Sequence, residues 1–412
     1  MSPYSDSEDM AEEPGVSPVI GTGPAGISAL KALSDEKAFD KVRAFERRDS
    51  PGGTWNYDET PSPTTFPQTT SPAIPLDGSI PTAMYSWLDT NVLADLMAFT
   101  HTPFPDGNSP ISTERYGARN ATRPWTVVSR YLLSVVERFR GFIEFNTTVT
   151  SVEKTESGRW KLTLRQPQNE SQGGEASDSW WQEEFDAVVV GTGQYNVPFL
   201  PKIPGLEEAV KSHPEALEHV NAFRSPDHYT GKKVLVNGPL YVSQGSHSPY
   251  ITEIWHLPDV EVKPTIGQVE AHGPKLQLTF SDGSQLGDVD KIIFATGYRL
   301  PIMAVLGLVR APLLFRMIEY EAVVVARYYA GRGGELPSKE DQERWEAEQV
   351  KLKGDSYKFH DFLRNLAGPL SAGTDGYDLP EIAYEWLEKC FYVLLLKDVY
   401  WGKVRREAEA QI

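Results

Sequence analysis

Residues 16–33 read VSPVIGTGPAGISALKAL. A short apolar strand enters a glycine turn, and the turn opens a helix with Ile27, Leu30 and Leu33 on one face. Gly21, Gly23 and Gly26 stand at the spacing G-x-G-x-x-G. In such a turn the first glycine permits the tight bend and the second lets backbone approach a pyrophosphate. The third lets helix and strand pack closely, and the helix N-terminus, here Pro24 and Ala25, attracts the phosphates. A second strand, KVRAF at 41–45, ends at Glu46, 20 residues beyond Gly26. A carboxylate there accepts hydrogen bonds from an adenosine ribose and disfavours a 2′-phosphate, so the expected nucleotide is FAD or NAD rather than NADP. The alternative is a glycine turn in an α/β sheet with no ligand. Pro18 lacks a ladder donor and is expected to shorten the first strand.

Three further apolar runs end in glycine: FDAVVVGTG at 185–193, KKVLVNG at 232–238 and DKIIFATGY at 290–298. Runs of this kind suit parallel strands buried on both faces, which sets the fold class as α/β. Helical patterns are predicted at 89–98 and 125–139. The alternation in IEFNTTVTSVEK (143–154) and RWKLTLR (159–165) predicts a small antiparallel insertion. The Pro-, Thr- and Ser-rich stretch 58–81 and the hydrophilic stretch 166–179 read as loops. Ser338 and Asp341 have capping-box-like spacing ahead of a charged helix expected to end at Gly354.

The chain has 412 residues, with 40 Lys+Arg against 57 Asp+Glu, a net charge of −17. That balance argues against nucleic acid or an anionic membrane surface as the main partner. A single cysteine, Cys390, excludes an internal disulfide framework, a multi-cysteine zinc site and a dithiol redox pair. The longest apolar runs, such as 391–396, are far shorter than the roughly 20 residues that span a bilayer. The acidic stretch SDSEDMAEE near Met1 does not resemble a signal peptide, and residues 1–15 are expected to form a disordered tail. The expected location is the cytoplasm.

The combination GTGPAG, FERR (45–48) and GGTW (52–55) resembles the opening of the flavin-containing monooxygenases and their Baeyer–Villiger relatives. The resemblance continues through MYSWLDTN (84–91), MAF (97–99), DAVVVGTGQYNVPFLPKIPGL (186–206), FATGY (294–298) and EAVVVARYYAGR (321–332). It implies a flavoprotein with two dinucleotide-binding domains, a discontinuous FAD domain and an NADPH domain. It also implies that NADPH reduces the flavin, and that O2 then forms a C4a-hydroperoxide that oxygenates a small lipophilic amine, sulfide or ketone. The expected boundaries are 16–225 for the first part of the FAD domain, 226–289 for what remains of the NADPH domain, and 290–412 for the second FAD part with C-terminal helices.

Carried over by position, Gly21, Gly23, Gly26 and Glu46 bind the pyrophosphate and ribose of FAD, and Gly52, Gly53, Thr54 and Trp55 line the flavin side. Asn91 matches an asparagine beside the reactive part of the flavin, where an amide donates a hydrogen bond without adding charge. Its plainer reading is a helix N-cap ahead of VLADLMAF. Gly193, Thr296 and Gly297 stand where strands G-T-G-x-Y and A-T-G-Y end, and permit close approach of cofactor or merely terminate strands. Trp55 taken alone reads as core.

Two departures from the family pattern stand out. After KKVLV the chain reads NGPLYVSQGSHSPY, without the second and third glycines of an NADPH fingerprint. Only Asn237, Gly238 and Pro239 separate KKVLV from LYVS, which is hairpin length, whereas a parallel crossover needs a dozen or more residues. No Lys or Arg occurs from Val234 to Val262, although a 2′-phosphate calls for a cation and His247 and His256 are poor substitutes. The signature F-x-G-x-x-x-H-x-x-x-[YF] keeps His219 and Phe223 but has His213 and Glu215 at its Phe and Gly positions, so His219 reads at least as well as an exposed loop histidine as it does as a functional one. Beyond Tyr298 the chain is also short. These departures argue against NADPH binding, and two alternatives stay open: an FAD-binding pseudoenzyme, and a truncated product without function. Substrate subtype and oligomeric state are not legible.

Overall fold

The computed structural model describes residues 17–61, 81–167, 178–193, 195, 197–237, 252–298, 306, 314–332, 334, 337–344, 356–381, 389 and 392–410. The opening motif forms β1 (Ser17–Ile20) and α1 (Pro24–Glu36), followed by β2 (Val42–Phe45). Next come α2 (Ala94–Met97), α3 (Pro110–Tyr116) and α4 (Trp125–Val136). The strands β3 (Ile143–Glu144), β4 (Thr148–Lys154), β5 (Trp160–Pro167), β6 (Asp178–Phe185) and β7 (Val189–Val190) complete the first unit. A second unit contains α5 (Leu206–Ser212), β8 (Leu217–His219), β9 (Val234–Asn237), β10 (Ile266–His272), β11 (Lys275–Phe280), β12 (Gln285–Val289) and β13 (Lys291–Phe294). The chain then adds α6 (Leu314–Tyr329), α7 (Ser356–Ala367) and α8 (Tyr392–Glu409).

The first sheet has the order β3-β2-β1-β7 with every pair parallel. Its central strand is buried along its whole length, as the continuous apolar run requires, and it pairs with β2 even at Pro18. Helix α1 starts on Pro24, whose fixed φ and missing N–H suit the first helical turn. It buries Ile27, Leu30 and Leu33 in a core shared with Val128 and Leu132 of α4 and Phe315, Met317 and Tyr320 of α6. The antiparallel insertion is present as β4-β5-β6. Its third strand, DSWWQEEF, adds to the two expected ones, and Ile143–Glu144 leaves the insertion to pair in parallel with β2. Arg43 of β2 pairs with both Glu144 and Glu183, which ties the insertion to the main sheet.

The second unit holds a parallel sheet of order β8-β13-β9 and an antiparallel meander β10-β11-β12. Strand β13 thus belongs with β8 and β9, so the expected boundaries at 225/226 and 289/290 cut through this sheet. Its pairing partners lie some 55 to 75 residues away in sequence, beyond what strand periodicity reports. Strand β9 keeps full register with β13, yet its burial is partial and Val236 is 51% exposed.

Two local expectations need correction. The helix expected at 89–98 contracts to α2, because Asp89 bridges Pro124 and the Thr90 N–H donates to the Arg123 carbonyl at 2.9 Å, which holds the chain extended. His219 is fully buried rather than exposed. Ser338 does cap its helix, accepting from the Asp341 N–H at 3.1 Å. The acidic tail, the hairpin segment LYVS with Pro239, most of 58–81, the stretch beyond Tyr298, and the helix end at Gly354 lie outside the described residues.

Candidate cofactor-binding site

The glycines of the opening motif meet those of GGTW. Gly21 has φ +87°, a turn conformation that side chains rarely adopt, and its N–H donates to the Phe45 carbonyl at 2.8 Å. A Cβ on Gly26 would stand 1.8 Å from the Gly21 carbonyl oxygen, so the helix enters at a distance only glycine allows. A Cβ on Gly53 would stand 2.7 Å from the Gly23 Cα, and the Gly52 N–H donates to the Thr22 carbonyl at 2.9 Å. Gly23 differs from these: an added Cβ would meet nothing closer than 3.5 Å. Its added methyl would lie in ordinary van der Waals contact with Gly53, beside the N-terminus of α1, whose first turn has no acidic residue and whose Gly23 N-cap offers no side-chain acceptor. A pyrophosphate needs a cradle of this kind, so the residues present fit FAD.

Glu46 is buried at the end of β2. Its Oε2 accepts from the Thr22 N–H at 2.7 Å and the Thr22 hydroxyl at 2.8 Å, while Oε1 accepts from the Arg48 N–H at 3.0 Å. Each oxygen of an ionised carboxylate has two lone pairs, so acceptor capacity remains for a ribose. Thr54 is exposed; Trp55 is half-buried, with its ring edge-on to Phe315 at 6.3 Å. Trp55 therefore serves as wall and core at once.

Asn91 is exposed, and Leu93 occupies the N-cap position of α2, which removes the capping explanation. Its loop is framed by the Arg123 N–H on Thr90 Oγ1 at 3.0 Å and by Ser109 Oγ on Asp89 Oδ2 at 2.8 Å. The same segment reaches the chain just beyond GGTW: Trp125 Nε1 donates to the Ser86 carbonyl at 3.0 Å, and the Trp125 ring stacks on Tyr57 at 5.2 Å. Burial pushes the Asp89 carboxyl above its usual range.

The remaining site residues sit elsewhere. Gly193 is exposed, with open space around its Cα. Thr296 donates to the Phe199 carbonyl, and the Gly297 carbonyl accepts from the Phe199 N–H at 2.8 Å, so both hold the crossing between units. The Gly297 carbonyl also faces His219 Nε2 at 3.0 Å, while His219 Nδ1 accepts from the Asn221 N–H at 3.3 Å. With Nδ1 as acceptor, Nε2 carries the proton and donates to Gly297. Burial lowers the imidazole pKa and favours this neutral form.

Three residues of interest escaped the sequence reading. A Cβ on Gly191 would lie 2.8 Å from the Gly26 nitrogen, so this glycine, two before Gly193, is the one that meets α1. The run GTG contains both, and spacing does not choose between them. Asn56 Nδ2 is buried beside Gly52 without an acceptor among the described residues. Arg224 spans the two units, with no local pattern to mark it.

The profile of the flavin-binding monooxygenase-like family matches residues 16–246, more than half of the chain. The chain belongs to this family. Among relatives of this flavin-binding monooxygenase-like chain, the flavin-containing monooxygenase iboF of Amanita muscaria is 30% identical over 347 residues, covering 68% of this chain and 64% of the relative. A trimethylamine monooxygenase of Pelagibacter ubique is 27% identical over 311 residues, covering 68% and 60%. The chain thus spans less than two thirds of the length of these relatives. The fold is shared with the S-allyl-L-cysteine S-oxygenase of Allium sativum, at TM-score 0.66 and 20% identity over 97% of this chain and 99% of that one. It is likewise shared with Tmm of Pelagibacter sp., at TM-score 0.65 and 20% identity over 92% and 89%. No helix among the described residues is long and apolar enough to cross a membrane.

Proposed function

We propose that this chain is a flavin-dependent monooxygenase that holds FAD in the first unit and oxygenates a small lipophilic nitrogen or sulfur compound. The joined cradle of Gly21, Gly23, Gly26, Gly52 and Gly53 carries the reading, since steric demands at Gly26 and Gly53 keep the turn close-packed at the N-terminus of α1, whose first turn carries no acidic residue. Bound FAD supplies the capacity to take up a hydride, activate O2 and transfer one oxygen atom. The amides of the turn and the α1 N-terminus bind the pyrophosphate, and Glu46 orients the ribose. Trp55 excludes water from the flavin side, and Asn91 donates its amide there. The names of the relatives include an amine and a sulfur substrate, which favours those classes over a ketone. NADPH is the expected reductant and the cytoplasm the expected location. Purified protein with flavin absorbance that NADPH bleaches under anaerobic conditions supports the whole reading; colourless folded protein refutes it.

A second reading has its own observation. Strand β9 is half-exposed at the edge of its sheet among the described residues, and the sequence after it lacks a glycine fingerprint and any cation as far as Val262. On this reading the chain binds FAD but NADPH reduces it poorly. Yellow protein that dithionite bleaches and NADPH does not would establish it over the first.

A further inference from the structure

Arg224 follows Phe223 in the second unit and is 9% exposed. Its hydrogen bonds to described residues all go to backbone carbonyls, and they divide across the seam between units. Nε donates to Asp58 O at 2.8 Å and Nη2 to Thr82 O at 2.8 Å, both in the first unit. Nη1 donates to Asn221 O and Phe223 O, each at 2.9 Å, in the second. A planar guanidinium with donors on three nitrogens serves acceptors on both sides at once. A lysine ammonium, a single point of donation, does not span them.

The first-unit end of this contact leads back to the nucleotide site. The Asp58 carboxylate is held by Arg48 through two bonds of 3.1 Å and by the Thr82 N–H at 2.7 Å. Burial alone raises its pKa, and Arg48 with Thr82 outweighs that and holds it below the usual range. The Arg48 N–H in turn donates to Glu46 Oε1 at 3.0 Å. On the other side, Asn221 leads through His219 to the Gly297 carbonyl at the end of β13. One hydrogen-bonded series therefore runs from the ribose carboxylate, across the seam, to the parallel sheet of the second unit.

We propose that Arg224 is a positioning residue that seats the second unit on the first and couples that seating to occupancy of the ribose site at Glu46. The coupling half rests on the FAD reading above; the seating half does not. Linkage makes the effect reciprocal: whatever FAD adds to the seating, correct seating adds to FAD affinity. The placement of these residues is a path, and only a measured change at both ends makes it a coupling.

Amide hydrogen exchange on the full chain, with and without FAD, tests both halves in the wild type, Arg224→Met and Arg224→Lys. Without ligand, both variants are expected to exchange the Thr82 and Asn221 amides about 10-fold faster or more, with β10, β11 and β12 unchanged. Millimolar methylguanidine is expected to restore Arg224→Met. With FAD, residues 21–26 and 221–223 gain protection in the wild type, whereas Arg224→Met gains it only at 21–26. Faster exchange throughout the meander would make Arg224 a general stabiliser of the fold only, and unchanged exchange at the seam would remove its role; either overturns the proposal. FAD protection of 221–223 that persists in Arg224→Met overturns the coupling. If the wild type takes up no FAD, the FAD reading fails and the coupling with it, and the ligand-free comparison still decides the seating.

Discussion

Gly23→Ala and Gly26→Ala separate the use of the turn for binding from its use for folding. At Gly23 the backbone has φ −71° and ψ −175°, which alanine adopts freely, and the new methyl meets nothing closer than 3.5 Å. Alanine as an N-cap is poorer than glycine by about half a kcal/mol, and the stiffer unfolded chain returns about the same amount. Gly23→Ala is therefore expected to leave stability within about 0.5 kcal/mol of wild type. The methyl nevertheless adds bulk to the turn that the proposed pyrophosphate approaches. Losing even one charge-assisted hydrogen bond to the pyrophosphate costs about 1.5–3 kcal/mol, or roughly 10- to 150-fold in FAD affinity. At Gly26 the methyl would lie 1.8 Å from a carbonyl oxygen, and reaching even a tight 3.0 Å contact requires a shift of 3.0 − 1.8 = 1.2 Å between backbone segments. Gly26→Ala is expected to lose about 1–3 kcal/mol or more of stability as well as FAD. Urea denaturation gives the first quantity and quenching of flavin fluorescence on titration gives the second. Equal loss of stability in both variants, or wild-type FAD affinity in Gly23→Ala, refutes the assignment of the turn at Gly23 to a ligand.

Other expectations follow from the buried charges and the open strand. Arg327 is 1% exposed, donates to Gly368 O at 2.6 Å and Tyr377 O at 2.9 Å, and lies 3.5 Å from Glu36. Arg327→Met is expected to destabilise by about 3–5 kcal/mol, read as a lower Tm, because buried carbonyls lose their donor and Glu36 keeps only Arg332. His360 is 2% exposed, has no hydrogen-bond partner on either ring nitrogen among the described residues, and burial lowers its pKa from 6.5 to about 4. Its folded pKa lies below the unfolded one, so stability is full above pH 6.5 and falls as pH drops from there towards 4, by on the order of 3 kcal/mol. His360→Leu should flatten that acid limb in urea midpoints taken between pH 7.5 and 4.5; an unchanged limb would show that His360 does not drive it. Val236→Lys on β9 should change stability by less than about 0.5 kcal/mol while raising the concentration at which light scattering begins, since a charge on an open apolar strand blocks edge pairing.

The parts of this fold legible in the sequence are those whose signal is local. The β1–turn–α1 unit, the placement of Glu46 after β2 and the parallel character of β7, β9 and β13 follow from apolar runs closed by glycine. Strand β6 escaped because DSWWQEEF mixes carboxylates with tryptophans, and its pairing with β5 compensates for a pattern that reads as surface. Which sheet receives β13 is decided by contacts with residues far away in the chain. The site divides in the same way. Glycine spacing marked the cradle, whereas His219 and Arg224 act through backbone carbonyls brought by other segments, and a lone histidine or arginine bears no sign of that.

The three hydrogen bonds on Glu46 have a thermodynamic consequence. A free glutamate side chain loses up to about 1.5–2 kcal/mol of rotamer entropy when it is fixed. Here Thr22 and Arg48 fix it within the folded chain, so that loss belongs to folding and is absent from the association step. Uptake of the adenosine end should then show little entropic penalty from this residue in calorimetry. Replacing Thr22 with valine would remove one of the three bonds, the one from the hydroxyl, and return part of that penalty to the association step.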